Sequence, residues 1–582
     1  MIVEESFLSN LLGGVQIDVH PIRGTPQLLA VISVMQPQPL SCRPRQVFTL
    51  VGLVFGVGMF SPAPSVFAAE AAAGPPPPPR LVTGAKVTAA LPKLEAFATQ
   101  ILRQTGVPGL AIAVVHDDRV VFLKGYGLRE VGKAETVDPD TVFQLASLSK
   151  PIASTVVAGL VGDGRVRWDD PVIGALPGFR LGPAAIAERV TLRDLLSHRS
   201  GLPDHAGDWL EDIGFDRSTI FQRLGLLPLE NRFRSVFNYT NFGFTAGAIA
   251  AANATGQGWE VLSRERLYHP LGMGRTSSSH ADLLAAPNRA VLHVRESAKG
   301  AASPRWVARY QRDPGAQSPA GGVSSTARDL SQWLRLQLAG GRLGTGAGGR
   351  QIVAPAALAE THRPLIVSAP SRDPAVYRSG FYGLGWNVNS TDQGAVQLSH
   401  SGGFDLGAAT AVYLLPGESL GIVVLTNGQP IGVPETVALS FLDLARFGRV
   451  KDDYLKPLGE TFAQMARQAY PQVLPPAHPA PSRPWTAYSG RYGNAYVGAL
   501  AVKPQGGGLA LELGPQRRVY PLTHVSGDTY SYQPSGENAS GPSAVGFRVG
   551  GDGEAYEVQI DNLNLEGQGV FQRQRLGGPQ ER

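Results

Sequence analysis

Two apolar hairpins, far apart in the chain, set what this sequence can fold into. The first is Gly109-Leu-Ala-Ile-Ala-Val-Val-His116, the polar pair Asp117-Asp118, then Arg119-Val-Val-Phe-Leu-Lys-Gly-Tyr-Gly127. The second runs from Ala408 to Leu415, turns at Pro416-Gly417-Glu418-Ser419 and returns from Leu420 to Thr426. Strand-like runs around a short polar turn make a β-hairpin. A helix pattern over Pro92–Gln104, apolar at Leu94, Phe97, Ile101 and Leu102, precedes the first. Another, over Glu435–Phe447, follows the second. With 582 residues, 43% of them hydrophobic, the chain has material for two or three domains. The expectation is an α/β (α+β) class. One antiparallel sheet draws strands from both ends of residues 88–448, helices flank it, and an α-rich subdomain packs beside it.

Between the hairpins lies Ser147-Leu148-Ser149-Lys150. Ile152, Ala153, Val156, Val157, Leu160 and Val161 then recur at helical spacing, and Gly162 and Gly164 end the run. Pro151 falls where the first helical N–H groups have no partner to lose. A serine three residues before a lysine, on the first turn, puts hydroxyl and amine on one face. The helix dipole favours an anion at that end. A serine hydroxyl is a weak nucleophile until a base takes its proton. Lysine is such a base only if burial or a neighbouring cation lowers its pKa from about 10.4 to roughly 7–8. Alone, S-x-x-K reads as chance. But lysine is scarce here, arginine is plentiful, and Lys150 is the only lysine with a serine three positions before it. Arginine would serve on an ordinary surface and cannot deprotonate.

Further along, Val190–Leu202 reads as a short helix capped by Thr191 and closed at Gly201. Its His198 is a structural histidine at a helix end in preference to a catalytic base. Phe237-Asn-Tyr239-Thr-Asn241-Phe-Gly243 reads as a glycine-bounded loop whose phenol can relay a proton and whose amide can bind a carbonyl. Ser318–Leu338, with Gly321-Gly322 and with Thr326 and Asp329 at capping-box spacing, reads as scaffold. Tyr382-Gly-Leu-Gly-Trp386 precedes Val396-Gln-Leu-Ser-His400-Ser401-Gly402-Gly403-Phe404.

S-x-x-K at Ser147–Lys150, Y-x-N at Tyr239–Asn241 and H-x-G at His400–Gly402, in this order, resemble the serine β-lactamase and penicillin-binding-protein superfamily. The closer likeness is to the class C β-lactamase-related serine hydrolases (peptidase S12-like): D-alanyl-D-alanine carboxypeptidases, D-aminopeptidases, esterases and β-lactamases. Leu195-Leu-Ser-His-Arg-Ser-Gly-Leu202 and Tyr382–Trp386 also look like that family's signatures. The resemblance covers roughly residues 88–448. It implies an acyl-enzyme on Ser147, with Lys150 and Tyr239 sharing the proton work and the choice of base left open. It implies that Asn241 holds the substrate amide. Backbone N–H groups of Ser147 and Gly403 would form an oxyanion hole, a donor typically being worth ~3–4 kcal/mol. His400 and Gly402 would lie on the strand lining the site, and no metal or organic cofactor is needed. Class C β-lactamases carry lysine where His400 stands, whereas carboxypeptidase- and aminopeptidase-like members carry histidine, which is neutral or partly charged near pH 7. The expected function is an exported serine hydrolase acting on a small amide or ester, a D-amino-acid peptide among the candidates. The alternatives are a carboxylesterase, and a penicillin-recognising or scaffold protein with little turnover.

The ends read differently. In residues 1–68, Arg43 and Arg45 precede the apolar run Val47–Phe60, and small residues follow, the order of a signal peptide. The run is short for a membrane span, which needs ~20 residues. Met35 is an alternative start. A secreted or periplasmic chain is expected, and cleavage would remove Cys42, the only cysteine. Residues 69–87, with Pro75–Pro79, are an extended spacer. The net charge of +5 is spread along the chain, with no basic run interleaved with aromatics. The expected partner is therefore a small-molecule or peptide substrate, not nucleic acid. Residues 449–484 are proline-rich and read as a linker. Short strand-like runs over 485–577 predict a small all-β barrel or sandwich. The opening Tyr488-x-Gly-x-Tyr492 is similar to a lipocalin-like β domain. A packing or oligomerisation module shielding the cleft is preferred there to a ligand pocket.

Overall fold

The computed structural model describes residues 80–229, 232–297, 304–344, 349–467 and 470–574. The expected signal peptide and the Pro75–Pro79 spacer lie outside them. The first helix, α1 (Gly84–Thr105), starts where the Thr83 hydroxyl accepts from the Lys86 N–H and stops at Gly106 in the left-handed region, φ 68°. It is longer than the expected Pro92–Gln104 and takes in the end of the expected spacer. Pro92 is tolerated inside it because it and Thr88, whose carbonyl it leaves without a helical partner, face solvent. The hairpin β1 (Gly109–His116) and β2 (Arg119–Gly127) turns at Asp117 and Asp118, both at positive φ (48° and 59°), as a two-residue turn matched to strand twist requires.

Four helices follow that matter to the site: α2 (Ser149–Gly162), α3 (Asp208–Asp212), α4 (Asn241–Asn253) and α5 (Ala327–Leu338). The Thr326 hydroxyl caps α5 by accepting from the Asp329 N–H. The Asp329 carboxylate turns instead to the Arg275 N–H and the Thr276 hydroxyl, so the box is half used. The sheet then continues with β3 (Ile366–Ala369), β4 (Gly380–Tyr382), β5 (Asn387–Ser390), β6 (Val396–Phe404), β7 (Ala408–Leu415) and β8 (Leu420–Thr426).

The eight strands form one antiparallel sheet in the order β2-β1-β8-β7-β6-β5-β4-β3. The two distant hairpins meet at its centre: Leu110 lies opposite Thr426 and His116 opposite Leu420. Side chains alternate between faces. Leu110, Ile112, Val114, Ile422 and Val424 pack on α1 and on α6 (Val433–Phe447). Ala111, Ala113, Val115, Val423 and Leu425 pack on the other side, in the core that includes α2, α4 and α5. Both faces are covered, so these strands read as unbroken apolar runs. Each large aliphatic or aromatic side chain so buried contributes about 1.5–3 kcal/mol.

The expected linker 449–484 holds a helix, α7 (Leu455–Met465), whose Leu458 is fully buried against Gly432. The Tyr454 hydroxyl ahead of it donates to Asp443 at 2.9 Å. The prolines that suggested a linker lie beyond this helix, at 471–484, where no regular structure forms.

The C-terminal strands close into an eight-stranded barrel: β9 (Gly490–Asn494), β10 (Gly498–Gln505), β11 (Gly508–Leu513), β12 (Arg518–Ser526), β13 (Thr529–Tyr532), β14 (Ser543–Val549), β15 (Ala555–Ile560) and β16 (Val570–Arg573). Tyr492 opposite Arg573 seals it. Fully buried Tyr492, Leu511, Val545, Val558 and Phe571 fill it. The barrel docks on α3: the Asp212 carboxylate accepts from the Glu537 and Asn538 N–H groups, both at 2.9 Å, and from Asn538 Nδ2 at 2.8 Å. Arg518 Nη1 donates to the Asp212 carbonyl at 2.8 Å. Among the described residues no helix is long and apolar enough to cross a membrane.

Candidate active site

Ser147 lies just ahead of α2, in a 3₁₀ turn over Ala146–Leu148, not within the helix's first turn as expected. Ala146 before it is held at φ 49°, a conformation that costs a non-glycine residue about 1–3 kcal/mol. The β6 and β7 strands hold this turn. A Cβ on Gly402 would sit 2.1 Å from the Leu145 carbonyl oxygen, so only glycine lets strand and turn approach so closely. Thr410 Oγ1 donates to the same carbonyl at 2.7 Å. Gly403, next on the strand, is exposed.

Lys150, one turn on, is fully buried. Its Nζ lies 3.1 Å from Ser147 Oγ, 2.7 Å from Asn241 Oδ1 and 3.1 Å from the Ala320 carbonyl oxygen. The ammonium also faces the Tyr239 ring, 4.4 Å from its centroid. Burial lowers the amine from 10.5 to about 7, with the Asp208 charge opposing the shift.

Tyr239 is in the loop ahead of α4, as expected, whereas Asn241 is the first residue of that helix, with Thr240 between them as its N-terminal flank. The Tyr239 hydroxyl donates to Ser147 Oγ at 2.7 Å. Burial raises its pKa far above that of a free phenol, the Ser147 bond opposing, so the group is protonated. Asn241 Nδ2 donates to Asp208 Oδ2 at 2.9 Å. Each end of the Asn241 amide thus makes one bond to protein, and its second N–H remains to meet a substrate amide.

His198 follows a short helix, as expected, but its ring accepts from a backbone N–H and does not donate to helix carbonyls. It is buried at φ 57° and brackets Tyr239: its carbonyl accepts from the Asn238 N–H and its Nδ1 from the Thr240 N–H. Its ring lies 4.6 Å from that of Tyr239. His400 lies on β6 with its Nδ1 2.6 Å from the Ser401 carbonyl and its Nε2 3.0 Å from the Tyr382 hydroxyl. A carbonyl only accepts, so Nδ1 carries the proton and Nε2 accepts from Tyr382. Burial, then the charge on Lys150, lowers His400 to about 3, which leaves it neutral.

The structure thus brings Ser147, Lys150, Tyr239 and Asn241 into direct contact and sets Gly402 against the Ser147 turn. Ala320 belongs to the segment read as scaffold and enters through a backbone carbonyl, which no side-chain pattern announces. Asp208 and His205 were also missed. Their three-residue spacing is common and says nothing until the fold sets them beside Asn241. Among the described residues no group of three or more His, Cys, Asp or Glu is placed to hold a metal ion.

Against known proteins, the Beta-lactamase family profile matches residues 94–447. A domain of unknown function (DUF3471) matches residues 474–575, the barrel and its approach. An unguisins hydrolase of Aspergillus campestris is 28% identical over 423 residues, 68% of this chain and 74% of that protein. Penicillin-binding protein 4 of Amycolatopsis lactamdurans is 28% identical over 380 residues, 64% of this chain and 90% of that one. The octameric penicillin-binding protein homologue from Pyrococcus abyssi shares the fold, with a TM-score of 0.52 at 20% identity over 83% of this chain and 99% of its own.

Proposed function

Because the chain belongs to the Beta-lactamase family, we propose that it hydrolyses a small amide or ester through an acyl-enzyme on Ser147. The observation that carries this is the set of three oxygens around one buried amine. A neutral lysine has two N–H bonds and one lone pair. Asn241 Oδ1 and the Ala320 carbonyl take the two N–H bonds, and the lone pair faces the Ser147 hydroxyl. With its pKa lowered to about 7, a large share of Lys150 is in that form near neutrality. We therefore assign Lys150 as the base: it takes the proton as Ser147 Oγ bonds to the substrate carbonyl carbon. Tyr239, protonated and donating to Ser147 Oγ, supplies a path for that proton to the leaving group as the tetrahedral intermediate collapses. Water then cleaves the acyl ester by the reverse sequence, releasing the acid and restoring Ser147. A neutral His400 brings no fixed charge to the cleft. This favours a substrate without a carboxylate on the leaving-group side of the scissile bond, an ester or an amide of an uncharged amine, over a β-lactam.

Intact-protein mass and product release test this after brief exposure to a penicillin and, separately, to a short-chain activated ester. The native chain is expected to turn over the ester, and Ser147→Ala is expected to be inert to both. Unchanged turnover by Ser147→Ala would refute the assignment. A lasting penicillin adduct on Ser147 would instead select a penicillin-recognising protein. We further propose export, from the basic, apolar and small-residue order of residues 43–71. The N-terminal residue of the mature chain tests it.

A further inference from the structure

The cluster does not end at Asn241. Asp208 opens α3, and its side chain is 4% exposed. Its Oδ2 accepts from Asn241 Nδ2 at 2.9 Å and lies 2.8 Å from His205 Nδ1. An amide has one accepting end and one donating end. The carboxylate claims the donating end, so the oxygen is left facing Lys150 Nζ at 2.7 Å. Reversed, the amide would set its NH₂ against the amine and its oxygen against a carboxylate. Asp208 Oδ1, meanwhile, is buried with no hydrogen-bond partner among the described residues. A buried carboxylate with an unmatched oxygen weakens a fold, and the ion pair with His205, whose side chain is 55% exposed, engages only the other oxygen.

We propose that Asp208 is a positioning residue for acylation, holding Asn241 with its oxygen on Lys150. This rests on the assignment of Ser147 and Lys150 above. The same helix is braced from the barrel. Asp212, four residues on, takes three hydrogen bonds from Glu537 and Asn538. One helical turn thus runs from the barrel to the amide that touches the base. Asp208 is the acid that acts on Lys150. The other titratable groups near the amine are Tyr239, His198, His205 and His400.

The test is Asp208→Asn in the full chain, a near-isosteric change that removes the charge. With an activated ester, kcat is expected to fall about 100-fold, the loss a small misplacement near the chemistry brings, with KM little changed. The acidic limb of the kcat–pH profile is expected to move to lower pH, because Lys150 loses the negative charge that favours its ammonium form. The Tm should fall slightly, because the variant also removes the charge paired with His205. In an Asn241→Ala background, Asp208→Asn should cost nothing more, since it acts through that amide. Multiplying losses in the double variant would overturn the proposal, as would a fall in Tm that tracks activity with no shift of the pH limb. Ser147→Ala run beside them separates the two failures. If it stays active, the site assignment is wrong. If it is dead and Asp208→Asn behaves as native, only the role of Asp208 is wrong.

Discussion

Burial takes the Lys150 amine from 10.5 to about 7, and the base of the proposed reaction is neutral only above that point. Ester turnover is therefore expected to rise as pH climbs through about 7, a limb that a stopped-flow or pH-stat titration would trace. Tyr239→Phe deletes the hydroxyl that donates to Ser147 Oγ. It should lower kcat by about 10²–10⁴-fold, the usual worth of a positioned proton donor. Its Tm should stay near native, because the ring and its packing on His198 remain. Ser147, Lys150, Tyr239 and Asn241 were legible in the sequence because each carries its chemistry in a side chain at fixed spacing from a partner or a pattern. Asp208 and the Ala320 carbonyl were not. The first acquires its role only when α3 meets α4 in space. The second has no residue-type signature.

At the scale of elements, the contact that matters most is β6 against the Ser147 turn. Gly402→Ala puts a methyl 2.1 Å from the Leu145 oxygen. We expect about 1–3 kcal/mol of destabilisation, as for other overpacked sites, and a drop in turnover larger than the loss of folded protein explains. Denaturant unfolding and ester kinetics on one preparation would measure both. The sheet itself was readable. The hairpins at 109–127 and 408–426 announced their turns, and their unbroken apolar runs reflect a sheet covered on both faces. Boundaries were less so. The start of α1 hid behind Pro92, which marks a first turn in most helices and here sits on a solvent face. Helix α7 was missed because a single fully buried leucine, Leu458, anchors it beside a proline-rich stretch. The loop that holds Tyr239 was expected to run on through Asn241, since Gly243 looked like its end. In the fold Gly243 is inside α4, where a Cβ would lie 2.3 Å from Thr240 Oγ1.

In the whole molecule, the seam between hydrolase and barrel gathers acids around one guanidinium. Desolvation lifts Glu211 to about 7 and Glu537 to about 8, against the pull of Arg312. It also raises Asp212 and Asp405. The folded chain keeps protons on the two glutamates that the unfolded chain gives up near 4.5, so their contribution to stability falls as pH rises from about 4.5 to about 8. Calorimetry should show a lower Tm at about pH 8.5 than at about pH 5.5, and Arg312→Met should widen the gap. Equal midpoints in the native chain would contradict this. The hydrogen bonds at Asp212 carry a further consequence. Glu537 and Asn538 sit in a loop, where amide hydrogens ordinarily trade with solvent in moments. Theirs are tied to a carboxylate in the other domain, itself 5% exposed, and are released only when the barrel lifts away. Deuterium uptake at these two amides is thus a clock for the joint, separate from the melting of either half.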